Sequence, residues 1–183
     1  MNVFYLHSDP KVCAEWAVDS HCVKMILESA QLLSTAHRLL DGVEYTDKTK
    51  TGRNVKRWRL DDWREPKLYS ATHINHPCAV WVRTNQNNYA WAWQYLKEHC
   101  DEYTHRYGKI HKVEYSGLLK LLDNIPDNIP LTDFRSIPPS AMDAKYIISG
   151  DARVNYRNYY KIGKAHLHKW KAPALPPAWI MEN

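Results

Sequence analysis

Apolar positions recur every three or four residues between Lys11 and Leu40, so this stretch is predicted to be helical. Val23, Ile26, Leu27, Ala30, Leu33, His37 and Leu40 fall on one stripe, the spacing of a helix with one face turned to a core. Asp19 or Ser20 offers a cap for the main segment, and Gly42 follows its end. Ahead of it, MNVFYLH is a short apolar opening of extended character, closed by the turn-prone Ser8-Asp9-Pro10. Residues 41–72 break the helical pattern. They are polar, with TDKTKTGRNVKRWRLDDWR at their centre, and read as an irregular insertion or a short helix. Pro77 fits the first turn of a second long helix that runs to about Tyr107 and stops at Gly108. The tandem DNIPDNIP opens a proline-rich connector over residues 123–139. A third helix is predicted from Pro139 or Met142 through Trp170, with breaks near Gly150 and Gly163, before an extended APALPPAW tail. No segment alternates strongly enough for a sheet. The expected fold is all-α: a compact single-domain bundle of about three long helices with a polar insertion after the first.

Composition sharpens this picture only in part. A chain of 183 residues can bury one good core. Twelve tyrosines and eight tryptophans stand against two phenylalanines, a bias toward rings with a flat apolar face and a polar tip. Such rings suit stacking surfaces and helix packing alike. The net charge of +5 admits a polyanionic partner. Cys13, Cys22, Cys78 and Cys100 form no CxxC pair, which excludes a zinc ribbon or a thioredoxin motif. MNVFYLHSDP lacks the apolar core of a leader peptide, and no apolar run reaches membrane-spanning length. The expectation is a cytoplasmic monomer that needs neither cofactor nor membrane.

Candidate chemistry gathers on the first helix. His21, Lys24, Glu28, Gln31 and Thr35 lie three or four residues apart and share one stripe. Glu28 sits at its margin, between apolar neighbours Met25 and Leu32 and one turn after Lys24. A carboxylate so placed can act as a general base or stabilise a cation, or form an ordinary Glu–Lys pair. The pairs His73/His76 and His166/His168 have no carboxylate or cysteine at metal-ligand spacing, so capping or DNA-facing roles are expected. His37, on the apolar stripe, reads as a core histidine. Arg83, Arg106 and Lys109 are phosphate-contact candidates, or wet-face residues of an amphipathic helix. The run KTKTGRNVKRWR, with Arg53, Lys56, Arg57 and Trp58, combines charge with an aromatic ring, as single-strand and minor-groove binders do. Near the end stands NYYKIGKAHLHKW, in which Tyr156 and Tyr160 share a helix face, so at least one ring of the Tyr156, Tyr159 and Tyr160 set is expected to be buried.

These stretches resemble one family in order along the chain. DSHCVKMILE, residues 19–28, is similar to a helix of the phage pyrimidine-dimer DNA glycosylases (endonuclease V). In that family Asp, one residue, and His precede the catalytic glutamate, which lies seven positions after the histidine. Asp19, His21 and Glu28 hold that register. Tyr159 and Tyr160 match a tyrosine pair of the family's C-terminal segment, and Gly163, Lys164 and Ala165 match its Gly-Lys-Ala after the inserted Lys161-Ile162. HPCAVWVR and EYTHRYGK resemble the ends of the central helix in longer relatives. Residues 41–72 and most of 113–145 lie outside the resemblance.

The resemblance implies a DNA glycosylase, with or without an abasic-site lyase step, that excises a damaged or modified pyrimidine base from duplex DNA. Such an enzyme extrudes the nucleotide and attacks the sugar C1′. In the family the attacking group is the N-terminal α-amine, a class that keeps more neutral form than lysine because its reference pKa is ~8 rather than ~10.4. This places Met1, Asn2, His21, Lys24 and Glu28 at the catalytic site. Arg157, Lys161, Lys164, Lys169 and the three tyrosines then face DNA together with the basic insertion. Two departures stand out: the chain opens Met-Asn where the family exposes a threonine, and Leu27 replaces an arginine before the glutamate. The first bears on the lyase step and the second on dimer recognition. Two other classes stay open, a noncatalytic DNA-binding or host-interaction protein and an enzyme acting on free nucleotides.

Overall fold

The computed structural model describes residues 1–181. The chain enters as a buried extended segment, with Val3, Phe4, Tyr5 and Leu6 all inside the core. Asp9 then caps helix α1 (Pro10–Trp16), its carboxylate accepting the Lys11 N–H at 2.9 Å, with Pro10 in the first turn. The predicted helix from Lys11 to Leu40 is in fact two, because α1 stops at Ala17 and α2 (Asp19–Asp41) starts afresh after Val18. The bend is held by Arg106. Its guanidinium donates to the carbonyls of Ala14, Glu15 and Ala17 and to the Asp19 and Glu102 carboxylates. A continuous helix would have used those carbonyls internally.

The buried face of α2 also differs from the expected stripe. Ile26, Ala30, Leu33 and His37 are inside, but Val23 and Leu27 are 39% and 42% exposed. Cys22, Met25, Ser29, Leu32 and Ala36 take their place, because α2 packs against both α4 and α3. A helix gripped from two sides buries a wider, rotated face than one resting on a single neighbour.

After α2 comes the main correction. The insertion holds an antiparallel hairpin, β1 (Val43–Lys48) and β2 (Asn54–Arg59), paired from Val43↔Arg59 to Lys48↔Asn54. Every β1 residue is exposed, so neither face needed the apolar alternation that reveals a half-buried strand. Gly42 must be a glycine. A β-carbon there would lie 2.5 Å from the Arg38 carbonyl oxygen and 3.1 Å from that of Arg59.

Pro77 does open a helix, α3 (Pro77–Val82), but it breaks at Arg83. Asn85 caps a new one, α4 (Gln86–Tyr107), by accepting the Asn88 N–H at 2.9 Å. Gly108 ends α4 in the left-handed region at φ 61°. Two single-turn helices follow, α5 (Lys112–Tyr115) and α6 (Leu118–Leu121). The third long helix does not form. Residues 123–143 are irregular, and a 3₁₀ turn covers Ala144–Tyr146. Helix α7 (Ala152–Asn158), capped by Asp151, then widens into a π turn over Tyr159–Gly163. A short α8 (Ala178–Met181) ends the described chain. The protein is therefore mostly helical with one small hairpin, built around α2 and α4 rather than as a three-helix bundle. Among the described residues, no helix is long and apolar enough to cross a membrane.

Three histidines and all four cysteines lie in this interior. His37 donates through Nε2 to the Tyr89 hydroxyl at 2.8 Å and accepts from Arg64 at Nδ1, so it is a core histidine. Cys13, Cys22, Cys78 and Cys100 are free and buried, one in each of α1 to α4. Burial pushes their thiols up, to about 12 for Cys13, Cys22 and Cys100 and about 11 for Cys78.

Candidate functional site

The first two residues and the third turn of α2 meet at Glu28. The backbone N–H of Asn2 donates to Glu28 Oε2 at 3.0 Å, and the α-amine of Met1 stands 4.0 Å from the same oxygen. Lys24, one turn earlier on α2, reaches Oε1 at 3.2 Å. The Glu28 side chain is only 12% exposed, whereas that of Lys24 is 64% exposed. A shielded carboxylate thus lies against the chain's amine with an exposed cation at its outer edge. Such a carboxylate can stabilise a developing positive charge or relay a proton.

Asn2 is fixed from every side. Its Nδ2 donates to the Ala141 carbonyl at 2.9 Å. Its Oδ1 accepts from the Tyr156 hydroxyl at 2.7 Å and faces Cys78 Sγ at 3.5 Å. The Tyr156 hydroxyl also lies 2.8 Å from the Pro139 carbonyl. Sequence spacing could not reveal this junction of the N-terminus, α3, the connector and α7, because its members lie far apart in the chain. Met1 itself packs its side chain into the core, 3% exposed.

His21 lies behind this site. Phe4 stacks on its ring with centroids 4.2 Å apart. The Tyr160 hydroxyl accepts from the Val18 N–H and gives its own proton to His21 Nδ1 at 2.8 Å. Burial, with Lys164 and Lys24 adding to it, pushes the His21 pKa down to about 3, so the ring is neutral. It therefore buttresses the aromatic layer under the N-terminal segment. His76 takes the capping role expected of it, accepting the Cys78 N–H at Nδ1 to start α3, and burial lowers its pKa, followed by the field of the Met1 amine and His73.

No protein-family model, curated protein or solved structure matches the chain significantly.

The remaining candidates fall in different settings. Arg106 is fully buried, and its donors are all engaged in bracing the α1–α2 bend, so none is left for a phosphate. Arg157 donates to the Leu6 carbonyl at 2.9 Å and lies over the Trp16 and Trp179 rings. Arg83 is half-buried with its Nη1 unpartnered, and Lys109 is exposed. Tyr156 and Tyr160 are wholly buried, which leaves Tyr159 as the one ring of the three with an open edge. Tyr159 stacks between Phe4 and Tyr146 and carries Lys164 Nζ 4.9 Å above its centroid. Gly163 makes room for this pair, since a β-carbon there would lie 2.6 Å from Tyr159 Cδ2. Lys161 is half-buried and Lys169 exposed. Arg53 is exposed at the hairpin tip, while Lys56 and Arg57 pair with Glu44 at 2.8 Å and Asp47 at 4.0 Å. His166 is exposed, and His168 Nε2 donates to the Tyr160 carbonyl. Among the described residues, no three His, Cys, Asp or Glu side chains gather as metal ligands.

A cleft of about 640 Å³ opens elsewhere, between α1, α4 and residues 173–178. Glu15, Glu98, Asp101 and Glu102 line it, and it shares no residue with the Glu28 site. Its carboxylates would repel a nucleic-acid backbone.

Proposed function

We propose that the protein is a DNA glycosylase that excises a damaged or modified pyrimidine base from duplex DNA. The observation that carries this reading is the Glu28 carboxylate, shielded and 4.0 Å from the Met1 α-amine. The sequence register of Asp19, His21 and Glu28 supports it, as does the positive net charge.

In this reading the extruded sugar lies with C1′ beside the amine and within reach of Glu28. The bond from C1′ to the base nitrogen breaks, and the base leaves with the electron pair and takes up a proton. The neutral amine forms a bond to C1′ and then loses a proton, while Glu28 stabilises the positive charge that builds on the sugar. Ring opening gives an imine, from which β-elimination can cut the strand. Lys24 balances the charge of Glu28 when the site is empty and swings outward when phosphate enters. The Asn2 network fixes the amine, so little freedom is lost in reaching the reacting geometry.

The test is base release from duplexes carrying ultraviolet photoproducts, deaminated cytosine or hypermodified pyrimidines, read by mass spectrometry. Wild-type protein is expected to release one of these bases, and borohydride to trap a protein–DNA adduct through Met1. Glu28→Gln is expected to slow release by roughly 10²–10³-fold. A wild-type protein that releases none of these bases, or a Glu28→Gln variant as active as wild type, overturns the reading.

A further inference from the structure

The hairpin β1–β2 is not needed to cover the core. Every residue of β1 is exposed, and residues 50–54 of the tip are exposed as well. Six cations stand against two carboxylates between Val43 and Arg59. Their distribution matters more than their sum. In the stem, Lys56 pairs with Glu44, Arg57 with Asp47, and Arg59 with Asp61. At the tip, Lys48, Lys50 and Arg53 make no side-chain ion pair among the described residues. The unneutralised charge is thus concentrated at the far end of a ribbon about 20 Å long, taking six residues at roughly 3.3 Å each.

Both ends of that ribbon are stiff. At its base, Arg38 is buried and donates to the carbonyls of Trp58, Glu65, Leu68 and Tyr69 and to the Glu65 carboxylate. At its tip, the Thr49 N–H donates to the Arg53 carbonyl at 2.8 Å, and the Gly52 N–H to the Thr49 carbonyl at 2.9 Å. Gly52 supplies the left-handed residue this turn requires, at φ 80°. The Arg53 N–H closes the loop on Thr49 Oγ1 at 3.1 Å. An ordered, hydrogen-bonded turn thus carries bare cations at its point.

We propose that this hairpin is a duplex-DNA arm, entering the major groove so that Lys48, Lys50 and Arg53 meet the phosphates that border it. The inference rests on the reading of DNA as the partner. An antiparallel two-stranded ribbon is one of the elements that the roughly 12 Å major groove admits. Single-strand binding is disfavoured by the same geometry, because it depends on aromatic rings that stack on successive bases. The tip has none, and Trp58 is half-buried near the base with its carbonyl held by Arg38. Gly42, where the arm begins, is fourteen residues along α2 from Glu28, about 21 Å at 1.5 Å per residue. The arm therefore meets DNA at a distance from the base being processed, and its contribution is to affinity and register.

The experiment measures duplex affinity by fluorescence anisotropy from 50 to 200 mM salt, for wild type and for a Lys48→Gln, Lys50→Gln, Arg53→Gln variant. Three lost phosphate contacts are expected to make the log–log salt slope shallower by about 2.7 and to weaken binding at least tenfold at the low-salt end. A control with the same charge removed at exposed Lys11, Lys112 and Lys120 is expected to stay within threefold of wild type. Dimethyl sulfate footprinting is expected to show guanine N7 atoms protected by wild type and open in the tip variant. An unchanged slope, an equal loss in the control, an equal loss on single-stranded DNA, or absent N7 protection each overturns the arm. Wild-type protein that does not bind duplex DNA overturns both this and the glycosylase reading. Tip-dependent binding without base release overturns the glycosylase reading alone.

Discussion

Tyr156 and Tyr159 stand three positions apart and face different tasks. The Tyr156 hydroxyl bridges Asn2 Oδ1 and the Pro139 carbonyl in the interior, and Tyr156→Phe removes that bridge while the Val3 N–H still serves Asn2 and the Ala141 N–H still serves Pro139. A loss of about 0.5–1.5 kcal/mol in denaturant titration is expected, the net worth of one buried hydrogen bond. Tyr159 instead depends on space. Gly163→Ala drives a methyl group into the Tyr146–Tyr159 pair and is expected to cost about 1–3 kcal/mol, read as a lowered thermal midpoint. What the sequence made legible at this scale was whatever repeats with the helix. The pairing of Lys24 with Glu28 follows from their four-residue spacing, and helical spacing also required at least one of Tyr156, Tyr159 and Tyr160 to be buried; the burial of both Tyr156 and Tyr160 takes those two away from the DNA-facing role the resemblance implied. The bond from Asn2 to Glu28 spans 26 positions and leaves no periodic trace. Arg106 misled for a related reason. A cation on a helix looks wet until one knows that the neighbouring helix ends against it.

The elements themselves show the same division. Pro77 and Gly108 marked real helix boundaries, and the apolar repeat of α2 found part of its buried face, because caps and periodicity act within a few residues. Breaks inside the predicted helices were hidden, since they are made by distant partners. Arg106 is the partner that bends α1 away from α2, and the bend predicts its own sensitivity. Arg106→Gln removes the cation that pairs with Asp19 and Glu102 and the donor to the Glu15 and Ala17 carbonyls, and stability is expected to fall by roughly 3–5 kcal/mol in guanidinium titration. A strand pair with two wet faces carries no apolar alternation, which is why the hairpin read as an irregular insertion. Its clearest local sign was Gly52 between two polar arms. The third helix does not form because no continuous apolar face holds it: Leu131, Phe134, Ile137, Ile147, Ile148 and Ile162 are all exposed.

Across the whole molecule, three neutral histidines set the response to acid. His21, His37 and His99 are all buried, and burial is the leading cause that pushes their pKa values down to about 3, 4 and 4 from an ordinary 6.5. Above pH 6.5 both folded and unfolded chains leave them uncharged, and they cost nothing. Below it the unfolded chain takes up protons that the folded chain refuses, so stability falls as pH drops from 6.5 toward 4. The loss is on the order of 2 kcal/mol per histidine by pH 5, taking 1.36 kcal/mol for each pH unit below 6.5. Denaturant midpoints are expected to drop steeply between pH 6.5 and 5 and to stay level from 6.5 to 8; a flat profile through pH 5 would refute it. The sequence could place His37 in the core by its stripe, but not His99, whose burial depends on how α4 rolls against its neighbours. The cysteines extend this into a practical consequence. Because α1, α2, α3 and α4 each carry one free, buried thiol, a sulfhydryl reagent can mark a helix only while that helix has opened. Timed alkylation followed by peptide mapping would then read four separate opening rates from the unaltered chain, and their order would rank the helices by how readily each leaves the fold.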